Sequence, residues 1–259
     1  MASTRNRKRI GGKEKRLKRI DRRGNFRILV KDTSRIESGI PEFDRIVGGG
    51  IPASSLTLLS GTCGTGKSTF ALQFLCWGAT KGEPGLYITL EDEPIEIINK
   101  AKRICKAASR LIQENKLVVV KPEVYRFDVL KEIIEDHTER YGVKRIVIDP
   151  FSLITAYFEN VYDIRKALSD IRRQIKSLKI TLLAITDIKE GAHGFSSTGF
   201  EEFVADGVIV FSLTEKKESG TFVRTIFVRK MTESKHEIRL IPMEITEKGI
   251  EIYPDAEVF

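Results

Sequence analysis

Short apolar runs alternate along the chain with longer segments whose apolar residues recur at helical spacing. The apolar runs predict strands at residues 55–60, 85–90, 117–120, 145–149 and 181–186. The periodic segments predict helices at residues 67–78, 94–110, around 129–137, and 162–178. Nearly continuous apolar strands that alternate with helices are typical of a parallel sheet covered by helices on both faces. We therefore predict an α/β fold.

The pattern changes after residue 207 to strands joined by turns. These strands are predicted at residues 208–213, 222–229, 237–242 and 249–253, as an antiparallel extension of the same sheet. Residues 26–30 are expected to form a short edge strand, and residues 48–52 a turn. No internal repeat is visible, so we interpret residues 25–259 as one domain.

The net charge of +8 is concentrated at the N-terminus. Residues 1–24 hold eleven Lys or Arg residues against Glu14 and Asp21, so the remaining chain is close to neutral. Such a segment buries too little apolar surface to offset its ordering entropy, which predicts a disordered tail. Its charges suit a nucleic acid or another polyanion, but it has no aromatic residue to stack on bases. A solvated arm that binds an unknown protein partner is the alternative.

Cysteine and histidine usage points away from disulfides and bound transition metals. Cys63, Cys76 and Cys105 are odd in number and form no CxxC, which argues against a disulfide framework or a zinc site. His137 and His193 have no partner at metal-ligand spacing and are interpreted as structural. No apolar run reaches the roughly 18 residues of a membrane span. We expect a cytoplasmic protein without membrane contact.

A phosphate-binding loop is predicted between the first buried strand and the helix that follows it. The motif GxxxxGK[ST] is matched by Gly61, Thr62, Cys63, Gly64, Thr65, Gly66, Lys67 and Ser68. Its glycines let successive N–H groups and the helix N-terminus surround a phosphate. Lys67 is expected to reach the β- and γ-phosphates and Ser68 to bind Mg²⁺, with Thr69 completing the ATP site. A chance match of a glycine-rich turn is the competing interpretation.

Acidic residues at two later strand ends are expected to complete the site. Asp149 ends the apolar strand 145–149 and is the candidate partner of Ser68 in holding Mg²⁺. Glu91 and Asp92 follow the strand 85–90, at the edge where parallel sheets bind ligands. Glu91 is our candidate base for the attacking water, supported by Asp92. The alternatives are a loop cap for Asp149 and acids that begin a helix for the other pair.

With these elements placed, the chain resembles the KaiC family of RecA-like ATPases from about residue 31 to residue 255. The resemblance rests on several segments together: residues 38–44, 48–52, the phosphate loop, 82–87 with Glu91 and Asp92, 147–149, 199–208, 229–231 and 245–250. It implies a RecA-type core and a ring, commonly hexameric, with ATP between neighbouring subunits. The acidic pair that activates water in the family matches Glu91 and Asp92, although the second acid is usually Glu.

The resemblance also implies residues that reach the neighbouring subunit's nucleotide. Residues 230–236 look like the family's KxRGTSH element, and the residues concerned are Lys230, Met231, Thr232, Ser234 and His236. Thr232 departs from the pattern, because the family usually has an Arg finger there. Such a finger raises turnover by orders of magnitude, so its absence predicts slow hydrolysis. Lys230 and Lys235 are possible substitutes, or else solvated charges.

One further loop has an open interpretation. Residues 189–199 follow the strand end at Thr186. In RecA-like rings the comparable loop faces the central channel. The loop is expected either to contact DNA, RNA or a protein there, or to be a plain mobile loop. Thr186 is either a sensor of the γ-phosphate or a buried strand residue.

Three functions fit these features. The first is an ATP-hydrolysing homohexameric ring that acts as a regulatory switch. The second is a nucleic-acid motor or recombinase-like ATPase, favoured by the tail and by the channel loop. The third is a non-hydrolysing ATP-dependent assembly protein, favoured by Thr232.

Overall fold

The computed structural model describes residues 16–20, 26–30, 34–188, 191, 194–216 and 220–257. The chain divides into two compact units, residues 1–33 and 34–259. In the first unit, strand β1 (Arg16–Ile20) pairs with β2 (Phe26–Val30) in antiparallel fashion. The strand predicted at residues 26–30 is therefore present. The predicted disorder of residues 1–24 falls, apart from β1, outside the described residues and stays a prediction.

The second unit alternates strands and helices through most of its length. Its strands are β3 (Arg35–Ile36), β4 (Ile51–Pro52), β5 (Leu56–Gly61), β6 (Gly85–Thr89), β7 (Leu117–Val120), β8 (Arg145–Asp149), β9 (Thr181–Asp187), β10 (Gly207–Lys216), β11 (Thr221–Met231), β12 (Ile241–Thr246) and β13 (Gly249–Ile252). Its helices are α1 (Pro41–Ile46), α2 (Lys67–Thr80), α3 (Pro94–Ile104), α4 (Ala108–Gln113), α5 (Phe127–Tyr141), α6 (Ser152–Thr155), α7 (Val161–Leu178) and α8 (Glu201–Val204). In the described part of the chain, no helix is both long and apolar enough to cross a bilayer.

Nine strands form one sheet in the order β13-β12-β11-β10-β5-β9-β8-β6-β7. The six strands from β10 to β7 run parallel to one another, and β11, β12 and β13 add to β10 as antiparallel neighbours. The predicted mostly parallel sheet with an antiparallel C-terminal extension is thus confirmed. The carboxyl ends of the parallel strands meet at one edge, where such sheets place their ligands.

The core lies in two layers, one on each face of the sheet. In β5, Leu59 joins a cluster with Phe70 of α2, whereas the adjacent Leu58 joins a second cluster with Ile134 of α5 and Ile171 of α7. Successive side chains of a strand point to opposite faces, so a strand that is apolar throughout is buried on both sides. The prediction of helices on both faces is confirmed.

Two predicted elements have different bounds in the structure. The helix expected at residues 94–110 is two helices, because Cys105 adopts an extended conformation between α3 and α4. The strand expected at residues 237–242 begins only at Ile241. Upstream of it the backbone leaves the sheet, since the Glu237 N–H donates to the Ile46 carbonyl at the end of α1 instead of to a strand. The alternation of apolar residues does not show whether a backbone N–H will hydrogen-bond to a neighbouring strand or to another element.

Arg145 is a buried guanidinium that holds α2 against the start of β8. It donates to the Glu83 carboxylate at 2.7 Å, to the Phe74 carbonyl at 2.9 Å and to the Glu37 carbonyl at 2.7 Å. Gly78 of α2 packs directly on it, and a Cβ there would overlap the Arg145 side chain. The glycine is therefore required by close packing, although it lies in a helix.

Gly78→Ala is expected to destabilise the protein by about 1–3 kcal/mol, as is typical of overpacking in a core. Alanine is the better helix former by about 1 kcal/mol, so helix propensity alone predicts the opposite sign. Urea unfolding of the variant and the wild-type protein measures the difference. Thr80→Ala, at an exposed position of the same helix, is the control and is expected to change stability by less than about 0.5 kcal/mol. A stabilised Gly78→Ala variant contradicts the packing argument.

Candidate functional site

The predicted phosphate loop connects the end of β5 to the start of α2. Gly66 is the N-cap of α2 with φ of +106°, in the left-handed region that favours glycine. A Cβ at this position would crowd Met243, Ile245 and Ile250. A helix N-terminus carries backbone N–H groups without helical partners and the positive end of the helix dipole. The junction therefore has the conformation and the charge of an anion site.

Lys67 is the first residue of α2, and its side chain is buried. Its Nζ donates to the carbonyls of Gly61 at 2.8 Å and Thr62 at 2.7 Å, and pairs with Asp187 Oδ1 at 3.1 Å. Asp187 was missed by the sequence analysis, which ended the strand one residue early at Thr186. The signal was present, because Asp187 follows the same rule as Glu91: it is an acid at the carboxyl end of a parallel strand.

Ser68 and Asp149, which the sequence analysis assigns to one Mg²⁺ site, are in direct contact. The Ser68 hydroxyl donates to Asp149 Oδ2 at 2.8 Å, and the Tyr87 hydroxyl donates to the same oxygen. Burial raises the pKa of Asp149 above its usual range; the bonds from Tyr87 and Ser68 act against this, and the nearby charges of Asp187 and Asp92 add to it. Burial also raises the pKa of Tyr87, so its hydroxyl keeps its proton and remains a hydrogen-bond donor.

The residues at this point fit a bound Mg²⁺. Ser68 and Asp149 present a hydroxyl and a carboxylate, the oxygen ligands that this hard cation prefers. Asp187 and Asp92 add negative charge nearby, and this charge raises the pKa of Asp149. A divalent cation would reverse that effect and favour the ionised carboxylate.

Glu91 and Asp92 both reach the same cleft but differ in their contacts. Asp92 forms an ion pair with Lys100 of α3, and its carbonyl accepts from the Thr89 hydroxyl at 2.8 Å. Glu91 is exposed, and only its backbone carbonyl is held, by Lys121 Nζ at 3.0 Å. Among the described residues, no hydrogen bond or ion pair engages the Glu91 carboxylate.

A cleft of about 910 Å³ joins these groups. Residues 63–69 form its floor, and its walls include three sets of residues that the sequence analysis did not assign to the site: Lys100, Arg103 and Ile104 of α3, Asp187 of β9, and Ile245, Thr246 and Glu247 around the end of β12. Arg224 of β11 also reaches the loop, where its Nε donates to the Gly64 carbonyl at 3.1 Å. Apart from Asp187, these wall residues had no signal in the motif spacing, because the sheet order brings them to the cleft.

Residues 230–236 lie at the opposite edge of the sheet. Met231 at the end of β11 pairs with Gly207, whose parallel partner is Thr57 near the start of β5. The phosphate loop begins after Gly61, at the other end of that strand. None of the residues 230–236 lines the cleft. Within one chain they are therefore remote from the phosphate loop.

Side chains of residues 230–236 form hydrogen bonds to backbone groups of their own chain. Lys230 Nζ donates to the Ala205 carbonyl at 2.6 Å and to the Glu202 carbonyl at 3.2 Å, and burial lowers its pKa. The Thr232 hydroxyl donates to the Asp206 carbonyl, and the Ser234 hydroxyl to that of Val47. His236 Nδ1 lies 3.3 Å from the Ser234 carbonyl. Lys230 is thus a partly buried cation rather than a solvated charge.

The remaining predicted positions are described in part. Thr186 is buried, and its hydroxyl accepts from the Ser197 N–H at 3.3 Å, which ties the strand end to the following loop. In the predicted channel loop, residues 189–190 and 192–193, His193 included, lie outside the described residues. His137 is half-buried, with Nδ1 at 2.8 Å from the Ile133 carbonyl one turn earlier in α5.

Comparisons with known proteins agree with this architecture. A family model described as "ATPase: KaiC" matches residues 36–257. A UPF0273 protein of Aeropyrum pernix is 34% identical over 86% of this chain and 95% of its own length. The circadian clock oscillator protein KaiC of a Nostoc species is 33% identical over 85% of this chain, which spans 44% of that protein.

A solved structure supports the same assignment. The crystal structure of a KaiC-like protein from the hyperthermophilic archaeon Pyrococcus horikoshii superimposes with a TM-score of 0.76. It is 33% identical and covers 86% of this chain and 100% of its own. With its RecA-like sheet and its match to the family model over nearly the whole second unit, this chain belongs to the KaiC family of P-loop ATPases.

Proposed function

We propose that this protein binds ATP with Mg²⁺ and hydrolyses it slowly, as a homohexameric ring that acts as a regulatory switch. The observation that carries the proposal is the single cleft in which Lys67, the Ser68–Asp149 pair and the Glu91 carboxylate come together. A partner protein would read the ring's nucleotide state. The chain's own residues have distinct tasks in this scheme.

Binding is assigned to residues 61–69. The N–H groups of the loop and of the first turn of α2 surround the phosphates, and Lys67 exchanges its contacts with Asp187 and the loop carbonyls for phosphate oxygens. Ser68 and Asp149 hold the metal ion. When bound, Mg²⁺ neutralises charge on the phosphates.

Water activation is assigned to Glu91. A general base needs a carboxylate that is free to accept a proton at the reacting edge of the sheet. Glu91 meets that requirement, whereas Asp92 is held by Lys100. Asp92 is therefore assigned a supporting role, in which its ion pair fixes the backbone that carries Glu91.

The ring assignment is supported by the distance, within one chain, between the phosphate loop and residues 230–236. Lys230, Met231, Thr232, Ser234 and His236 lie at the sheet edge opposite the phosphate loop. A head-to-tail contact between subunits joins two different surfaces, and a closed rotation of such contacts gives a ring. In that arrangement one subunit's segment lies near its neighbour's nucleotide.

A non-hydrolysing assembly protein is the second candidate, and one observation favours it. Thr232 carries no charge, and its hydroxyl is already engaged by the Asp206 carbonyl of its own chain. It cannot replace an Arg finger, which is worth several orders of magnitude in turnover. The nucleic-acid alternative rests on the tail, of which residues 16–20 are described, and on the channel loop, of which residues 191 and 194–199 are described.

Lys67→Ala is expected to abolish ATP binding, because it removes the only ammonium in the phosphate loop. Isothermal titration with ATP and Mg²⁺ measures the loss. Lys81→Ala, at the exposed end of the same helix, is the matched control and is expected to bind as the wild-type protein does. Retained binding in Lys67→Ala would show that the phosphate-loop assignment is wrong.

Glu91→Gln is expected to lower the ATPase turnover by on the order of 100-fold while ATP binding is retained, as for removal of a general base. Phosphate release and titration calorimetry give the two measurements. Glu123→Gln changes an exposed acid on the loop before α5 and serves as the control. Equal turnover in the wild-type protein and Glu91→Gln would favour the non-hydrolysing assembly protein.

Mass measurement in solution tests the ring. With ATP and Mg²⁺ we expect a particle about six times the chain mass of 29.3 kDa. Lys67→Ala under the same conditions is expected to remain smaller, because nucleotide at the interface stabilises the assembly. A monomer at every nucleotide condition contradicts the ring. Turnover stimulated by single-stranded DNA would favour the nucleic-acid motor instead.

A further inference from the structure

Two of the three cysteines belong to the same hydrophobic cluster, although 28 residues separate them in the sequence. Cys76 lies on the buried face of α2, and Cys105, the extended residue between α3 and α4, packs against the cluster that contains it. The two thiols lie side by side and are both free. Cys63, in the phosphate loop, is exposed and takes no part in this contact.

The surroundings of the two thiols are unequal. Cys105 is partly exposed, and its sulfur lies near the Cys76 thiol and the backbone N–H groups of Ala107 and Ala108 at the start of α4. These donors, the Cys76 thiol first, lower the pKa of Cys105 to about 6. Cys76 is buried, and its bond to Cys105 together with burial raises its pKa. A partly exposed thiolate with a buried thiol beside it is the arrangement of a redox-active pair.

We propose that Cys76 and Cys105 form a redox-active dithiol, a modification site that a peroxide converts to a disulfide. The Cys105 thiolate attacks one oxygen of the peroxide and breaks the O–O bond, which gives a sulfenic acid and hydroxide. The Cys76 thiol then attacks the Cys105 sulfur, the S–S bond forms, and water leaves with the Cys76 proton. The two thiols supply the two electrons that reduce the peroxide, and an external thiol reverses the oxidation.

Both cysteines lie close in the sequence to residues of the cleft. Arg103 and Ile104 immediately before it line the cleft, and Cys76 belongs to the helix that begins at Lys67. The disulfide therefore links the helix of the phosphate loop to one wall of the cleft. Oxidation is therefore expected to change the rigidity of this wall, whether or not the protein hydrolyses ATP.

Peptide mapping tests the site directly. Trypsin places Cys76 in residues 68–81, Cys105 in residues 104–106 and Cys63 in residues 46–67, so the three cysteines fall in separate peptides. After treatment of the reduced protein with hydrogen peroxide, we expect a disulfide between residues 68–81 and 104–106 that dithiothreitol removes. Its absence, with oxidation found only at Cys63, overturns the proposal.

Three variants separate the steps. Cys76→Ser removes the resolving thiol, so dimedone is expected to label the sulfenic acid at Cys105 severalfold more than in the wild-type protein. Cys105→Ser is expected to abolish the label and the disulfide. Cys63→Ser is the matched control and is expected to form the 76–105 disulfide as the wild-type protein does. Equal labelling of Cys105 in the wild-type protein and Cys76→Ser would show that Cys76 does not resolve it. The wild-type peptide map stands on its own if a variant fails to fold.

Discussion

The junction between β5 and α2 is the constraint on which the rest of the structure depends. A buried strand ends at Gly61 and a helix begins at Lys67, and the short loop between them leads into a helix N-terminus, which carries N–H groups without helical partners. Such a turn needs glycine at Gly66, where the backbone is left-handed and side chains of the C-terminal strands lie against it. Both the antiparallel extension and the central sheet therefore support the loop.

Around this junction the acids Asp149, Asp187 and Asp92 outnumber the cations Lys67 and Lys100. Asp187 and Asp92 lie close enough to Asp149 to raise its pKa, Lys67 forms an ion pair with Asp187, and Lys100 forms one with Asp92. Lys67 donates to the loop carbonyls of Gly61 and Thr62 and pairs with Asp187. Under the proposed function, a metal-loaded triphosphate would exchange these internal contacts for new ones.

The break between α3 and α4, beside the junction, affects both the cleft wall and the two cysteines. The break at Cys105 separates α3 from α4, and it leaves the backbone N–H groups of Ala107 and Ala108 near the Cys105 sulfur. In a continuous helix from residue 94 to 110 those N–H groups would donate to carbonyls one turn earlier. The same break therefore shapes the cleft wall that Arg103 and Ile104 form and the reactivity proposed for the thiol pair.

The sequence by itself determined the elements whose signals are local: apolar strands, periodic helices, the phosphate loop and the acids at the ends of β6 and β8. It therefore predicted the α/β class and assigned Ser68, Asp149 and Glu91 to one edge of the sheet. Tertiary structure decided what depends on distant partners. Examples are Asp187 beside Lys67, the approach of Arg224 to the loop, the late start of β12, and the meeting of Cys76 with Cys105. These follow from strand order and backbone pairing, which hydrophobic periodicity does not encode.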